Sequence, residues 1–220
     1  MIESKPSYSA IDRRSFERLI NFTDAVAAIA ITLQLLPLID IKVKEGETVF
    51  ALFQSNSSQI FAFCVSFFVV LILWLKHNQA FNVMKRFDGK IFWLNAVWLV
   101  LIVFLPWPTA LYGAINDAQS AGGRGVGLLY WWTMAAICAV GWMIARHAWH
   151  HQELLEDSIR SARYHDGHNN NFRGLSFFIV FFLFGVASEL APQTVPYLGL
   201  SMLPLSLVFR EKKRQRTRES

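Results

Sequence analysis

Cysteine is nearly missing from this chain: Cys64 and Cys138 are the two copies in 220 residues, and both sit inside apolar runs. That excludes a disulfide framework and a cysteine-rich zinc site. Charge is scarce too, with 17% Asp, Glu, Lys and Arg against roughly 25% in an average soluble domain. Disorder needs low hydrophobicity and high charge, so a disordered chain is excluded. No phosphate-cradling glycine loop, Gly-x-Ser-x-Gly elbow or paired catalytic carboxylate occurs, so an enzyme is not expected. The polar first 20 residues lack an apolar core followed by a small-residue cleavage site, so no cleaved leader is expected. What is present is apolar: 54% hydrophobic residues, including 19 Phe and 8 Trp.

Those residues fall into six runs separated by short polar breaks, at about Phe22–Ile41, Gln59–Leu75, Ile91–Gly113, Val126–Ala145, Gly174–Ala191 and Val195–Phe209. Crossing a hydrocarbon layer takes about 20 mainly apolar residues, with about 17 as the lower bound. The second, third and fourth runs meet this. The first carries Asp24, Thr32, Gln34 and Pro37, and the sixth Pro196 and Pro204, so a buried hairpin is the alternative for each.

Charge placement decides between them. Of 21 Lys and Arg, 18 fall in the N-terminal tail, the second and fourth inter-run segments and the C-terminal tail; the alternate loops hold only Lys42, Lys44 and Arg124. Basic residues concentrate on the cytoplasmic side, so both termini are expected inside, and six crossings satisfy that parity. The net charge of +5 is therefore an orientation signal, and nucleic acid is not an expected partner. Trp74, Trp93, Trp107, Trp131 and Trp149 fall near run ends, where indole prefers the headgroup region. The expected architecture is an all-α integral membrane protein. A tail (1–17) precedes a six-helix domain (18–209) and a basic tail (210–220), whose cations can meet anionic headgroups.

Polar groups inside spans cost free energy unless paired or wet, so they mark function. The densest group opens the first span: Arg18, Phe22, Thr23 and Asp24. Arg18 and Asp24 are six residues apart, which is poor spacing for an intrahelical pair. Each is expected to find a partner on another helix, the candidates being Trp74, His77, Asn78 and Asn95. The alternative is that Asp24 only caps the helix. Ile29, Leu33 and Leu36 follow at i, i+4, i+7 and share a stripe, with Thr32 and Ala25 beside it. A short span rich in small residues suits close helix packing better than lipid, which puts it centrally.

Arg18-x-x-x-Phe22-Thr23-Asp24 resembles the Arg-x-x-x-Phe-Ser-Asp signature of the bacterial relatives of transmembrane protein 175, the lysosomal potassium channel family. The likeness continues through Trp74-Leu-Lys-His77-Asn78-Gln-Ala-Phe81, Trp93-Leu-Asn95 and Leu105-Pro106-Trp-Pro108-Thr109, and covers roughly residues 18 to 113. The resemblance implies a single-repeat subunit assembled as a homotetramer, with first helices around an ion path closed by rings of apolar side chains. It assigns Ile29, Leu33 and Leu36 to the constriction, with Thr32 at the neighbouring layer. Arg18, Phe22, Thr23 and Asp24 are implied to tie that helix to Trp74, His77, Asn78 and Asn95. Departures are Thr23 for Ser, Ala25 for a frequent Gly, Asn78 for a second His, and Gln34 and Pro37 in a usually apolar stretch.

No Thr-Val-Gly-Tyr-Gly filter occurs, so selectivity of the carbonyl-filter kind is not expected; apolar rings would close by dewetting, and the resemblance implies a modest preference for potassium over sodium. No cofactor is expected. The expected partners are further copies of the chain, the bilayer, and permeant potassium with other monovalent cations. The expected location is the plasma membrane, as a multi-pass protein of a bacterial inner membrane. A cation or proton-coupled transporter using Asp24 and His77, and a non-conducting scaffold, are the alternatives; no inverted repeat favours the former. His147, His150 and His151, at i, i+3, i+4, are weak metal candidates, and a solvated interfacial helix is the preferred reading. Glu189 is read as exposed at the outer end of the fifth span.

Overall fold

The computed structural model describes residues 8–114, 125–156 and 171–190. Among them the fold is helical: α1 (Tyr8–Leu33), α2 (Leu36–Ile39), α3 (Val49–Ser55), α4 (Ser57–Phe81), α5 (Gly89–Phe104), α6 (Pro106–Ala114), α7 (Val126–His150), a 3₁₀ turn (Gln152–Leu154) and α8 (Asn171–Leu190). Four stretches are long and apolar enough to cross a membrane: Arg13–Ile39, Ser57–Phe81, Gly89–Ala114 and Val126–His150. Leu175–Leu190 is apolar but shorter. The sixth run, at Val195–Phe209, and the basic C-terminal tail lie outside the described residues.

The helices outrun the apolar runs. The first begins at Tyr8 rather than Phe22, and α4 continues past Leu75 to Phe81. Hydropathy marks where a helix is greasy, whereas backbone hydrogen bonding carries it on through polar residues such as His77 and Asn78. The first span also breaks near its outer end. Pro37 lacks an N–H and its ring opposes the carbonyl four residues back, and the chain there tightens into Gln34 N–H to Ile31 O (3.3 Å) and Leu35 N–H to Thr32 O (3.1 Å). Pro106 interrupts the third span more gently, because Thr109 N–H still reaches Leu105 O at 3.1 Å.

Packing runs from α1 onto α4 and α5, and from these and α6 onto α7, with α8 against α7. The core between them is aromatic. Trp131 is fully buried, edge-on to Tyr130 and Phe184 and stacked on Phe181. Its place is thus the packed interior and not the headgroup belt, because α8 covers it. Trp93 and Trp107 are exposed. Glycine permits the α7–α8 contact: a Cβ on Gly185 would meet Trp132 Cδ1 at 2.3 Å, and one on Gly127 would meet Ser188 Oγ at 2.6 Å. We expect Gly185→Ala to destabilise the protein by about 1–3 kcal/mol through overpacking. Thermal unfolding in detergent checks this; an unshifted Tm would mean that Trp132 yields freely.

Loops on one side interlock. Asp88 caps α5, accepting from Ile91 N–H at 2.8 Å, and takes a 2.6 Å contact from His147 Nε2. Burial pushes the Asp88 carboxyl up, yet its bonds from His147 and the Ile91 N–H outweigh this and hold it below the usual carboxylate range. His151 pairs with Glu153 at 3.0 Å, and Lys85 N–H donates to Leu154 O at 2.8 Å. Of the three histidines at the end of α7, His147 and His151 therefore clasp carboxylates, while His150 is exposed. Among the described residues no group of three or more His, Cys, Asp and Glu could hold a metal ion. On the other side, Glu189 accepts from Gly125 N–H at 2.8 Å, so this exposed carboxylate caps the start of α7.

Candidate ion path and the polar network behind it

Helix α1 and the residues just after it, as far as Leu36, have two faces with the same periodicity and opposite chemistry. Phe16, Thr23, Ala27, Ala30 and Gln34 are buried against the rest of the chain. Arg18, Phe22, Ala25, Ile29, Thr32 and Leu36 are exposed on the opposite side. Ile29 is 59% exposed. Leu33 falls between the faces, half-buried, so the i, i+4, i+7 stripe read from spacing is better drawn through Ile29, Thr32 and Leu36. The Thr32 hydroxyl donates back to Ile29 O at 2.7 Å, which leaves its lone pairs toward the open side. Within one chain α1 is at an edge, not the centre, because its buried side packs mainly on α4 and α5.

Behind that helix lies a chain of polar side chains. Asp24 accepts from the Trp74 indole N–H at 2.8 Å and from the Asn78 amide at 3.3 and 3.4 Å. Thr23 donates to Leu19 O at 2.8 Å and accepts from Asn95 Nδ2, also at 2.8 Å. The other end of Asn95, its Oδ1, lies 2.9 Å from His77 Nε2; a carbonyl oxygen only accepts, so that nitrogen carries the proton. The His77 ring is held between Phe81 and Trp98, with centroids 4.4 and 4.0 Å away. Thr23, His77 and Asn95 are all buried, so each bond is made in a medium where a missing partner is costly. Asn82 extends the chain, donating to Asn78 Oδ1 at 2.6 Å.

Six of the eight expected network residues, Thr23, Asp24, Trp74, His77, Asn78 and Asn95, come together in this way, whereas Phe22 is exposed and points outward from the same turn. Arg18 does not join: it is exposed and has no ion pair among the described residues. Its position on the Phe22–Ile29 face turns it away from α4 and α5. A second polar cluster escaped the sequence reading. Ser66 shares a hydrogen with Tyr130 at 2.8 Å, and Thr109 donates to Ser66 at 3.1 Å, with Tyr112 stacked on Tyr130 at 4.4 Å. A hydroxyl in mid-span was the available signal. Beside it Gln34 is completely buried, its amide nitrogen and oxygen and the Gln59 oxygen unpaired among the described residues. These glutamines line a cleft with Pro37, Phe63 and Thr109.

Residues 18–106 match the family model of the endosomal/lysosomal potassium channel TMEM175. Over this stretch the chain is similar to TMEM175. A potassium channel of Streptomyces collinus is 38% identical over 97 residues, which is 43% of this chain and 46% of that one. The endosomal/lysosomal proton channel TMEM175 of Danio rerio is 27% identical over 150 residues, 68% of this chain and 28% of that one. The chain therefore spans less than half the length of these relatives. The crystal structure of a lysosomal potassium-selective channel TMEM175 homolog from Chamaesiphon minutus superposes with a TM-score of 0.61 at 26% identity, covering 88% of this chain and 98% of that one. The matched stretch contains the whole Thr23–Asp24–Trp74–His77–Asn78–Asn95 network and all of α1 beyond Glu17.

Proposed function

We propose that the protein is a potassium-permeable cation channel in which several copies of α1 enclose the ion path. The observation that carries this reading is the exposed face of α1. Phe22, Ile29 and Thr32 lie open along α1, with Leu36 just beyond its end, while Thr23 and Asp24 fix the opposite side through a paired polar network. A pore lining needs this combination: a wall held rigidly from behind and presented to the lumen in front. Four copies, as the family resemblance implies, would close rings of Ile29 and Leu36 around the axis, with Thr32 between them and Leu33 at the subunit seam. Ions cannot shed their hydration shells in such a ring without replacement ligands, so closure is by dewetting. Thr23, Asp24, Trp74, His77, Asn78 and Asn95 hold the wall in place and do not touch the ion.

The domain layout follows as 1–17, 18–209 and 210–220, with six crossings, both termini cytoplasmic and a plasma-membrane location. The basic-residue distribution supports that orientation. No catalytic role or cofactor is part of this reading. A proton is the rival permeant species, favoured by the name of the Danio rerio relative. Reconstitution into liposomes with potassium or sodium gradients, with valinomycin or a protonophore, separates the cases. Potassium flux without valinomycin, faster than sodium flux, is the expected result. Proton-only flux, or no flux at all, would overturn it.

A further inference from the structure

Helix α3 has no role in the ion path, yet it is the most water-averse exposed surface in the loop that leaves it. Val49, Phe50 and Phe53 are all exposed, Phe50 to 79%, and spacings of three and four put them on one side of the helix. None of the helix's residues is buried. The segment is nonetheless firmly built. Thr48 caps it by accepting from Ala51 N–H at 3.2 Å. Glu47 bridges the preceding turn to the helix end, accepting from Lys44 N–H at 3.0 Å and from the Ser55 hydroxyl at 3.4 Å. Asn56 then serves as the last cap of α3 and the first of α4, donating its side-chain amide to Leu52 O at 2.9 Å.

Position identifies what covers the apolar face. A single residue separates α3 from α4, and α4 has 25 residues, about 37 Å of helix at 1.5 Å per residue. That exceeds the roughly 30 Å hydrocarbon layer, so the end of α4 next to α3 reaches the headgroup zone. The segment just before α3 is strongly polar, with Lys42 and Lys44 exposed beside Asp40, Glu45 and Glu47, as suits chain that stays in the headgroup zone. A seven-residue helix is also far short of the roughly 20–30 residues per side that a stable protein interface uses.

We infer that α3 is an interfacial anchor, lying in the membrane surface with Val49, Phe50 and Phe53 among the upper acyl chains and the polar residues 40–48 in the headgroup layer. Helices that lie in the interface bind lipid through buried apolar area of this kind. Through residues 40–48 the anchor tethers the outer end of the α1–α2 segment. The inference needs only that the chain spans a membrane, so it stands or falls apart from ion conduction.

The test uses the full chain with Cys64→Ser, which removes the exposed thiol and leaves Cys138 buried. Phe50→Cys, Phe53→Cys and, on the opposite side, Ser55→Cys each carry an environment-sensitive fluorophore in phosphatidylcholine–phosphatidylglycerol vesicles. Quenching by a nitroxide near the top of the acyl chain should be about threefold stronger at positions 50 and 53 than at 55, with aqueous iodide showing the reverse order. Equal iodide quenching at all three positions would overturn the anchor. So would disulfide-linked dimers of the unlabelled Phe50→Cys protein without lipid quenching, since the face would then meet a second copy.

Discussion

Replacing Asn95 with Leu should lower the stability of the folded protein by about 3 kcal/mol, because a buried donor is left without its acceptor. Asn95 is the only group that touches both Thr23 and His77 in the described network: its amide donates to one at 2.8 Å and its oxygen faces the other at 2.9 Å. Leu keeps the branched four-atom skeleton of Asn, so the change removes both hydrogen bonds without opening a cavity. The His77 N–H would stay buried between Phe81 and Trp98 with nothing to receive it. Pairing the change with His77→Phe provides the check. Phe retains the ring stacking and removes the orphaned donor, so the double variant should be more stable than the sum of the two single losses by about 1–2 kcal/mol. Thermal unfolding of the detergent-solubilised protein measures all three variants. Additive losses would mean that the two side chains act independently and that the bond adds nothing to holding α1.

Ile29→Ala should raise resting potassium flux through reconstituted protein by about tenfold or more, because a wider, less apolar ring admits water and with it the hydrated ion. Ile29 packs against nothing in its own chain that would collapse when it is shortened; it is 59% exposed, on the face opposite Ala27 and Ala30. The same truncation at Phe68, which is exposed on α4, should leave flux unchanged, since that face meets lipid in the proposed assembly. Leu33→Ala is expected to act more weakly than Ile29→Ala, as Leu33 is turned half into the subunit. Bilayer recordings in which Ile29→Ala conducts like the unaltered protein would remove α1 from the ion path. A leak of equal size from Phe68→Ala would point instead to general loosening of the bundle.

The sequence by itself determined how many apolar segments there are, which of them is unusual and where costly polar groups sit. Those readings depend on composition and local spacing, and a bilayer makes both severe: a span must be about 20 residues long, and a polar residue inside it must have a reason. Arg18, Asp24, His77 and Asn95 could be singled out for that cause alone, and the pool of partners for Asp24 contained the two that it has, Trp74 and Asn78.

Only the tertiary structure decided who bonds to whom and which way a side chain faces. The His77–Asn95–Thr23 relay joins residues from three helices, and no spacing rule reaches across helices. Trp131 reads as a headgroup tryptophan until α8 is seen to cover it. Arg18 reads as a partner in the network until the rotation of α1 carries it to the open side. Leu33 and Thr32 exchange places on the stripe for the same reason: an α-helix turns 100° per residue, so a face drawn by spacing is known only to within about one residue until a neighbour fixes which side is buried.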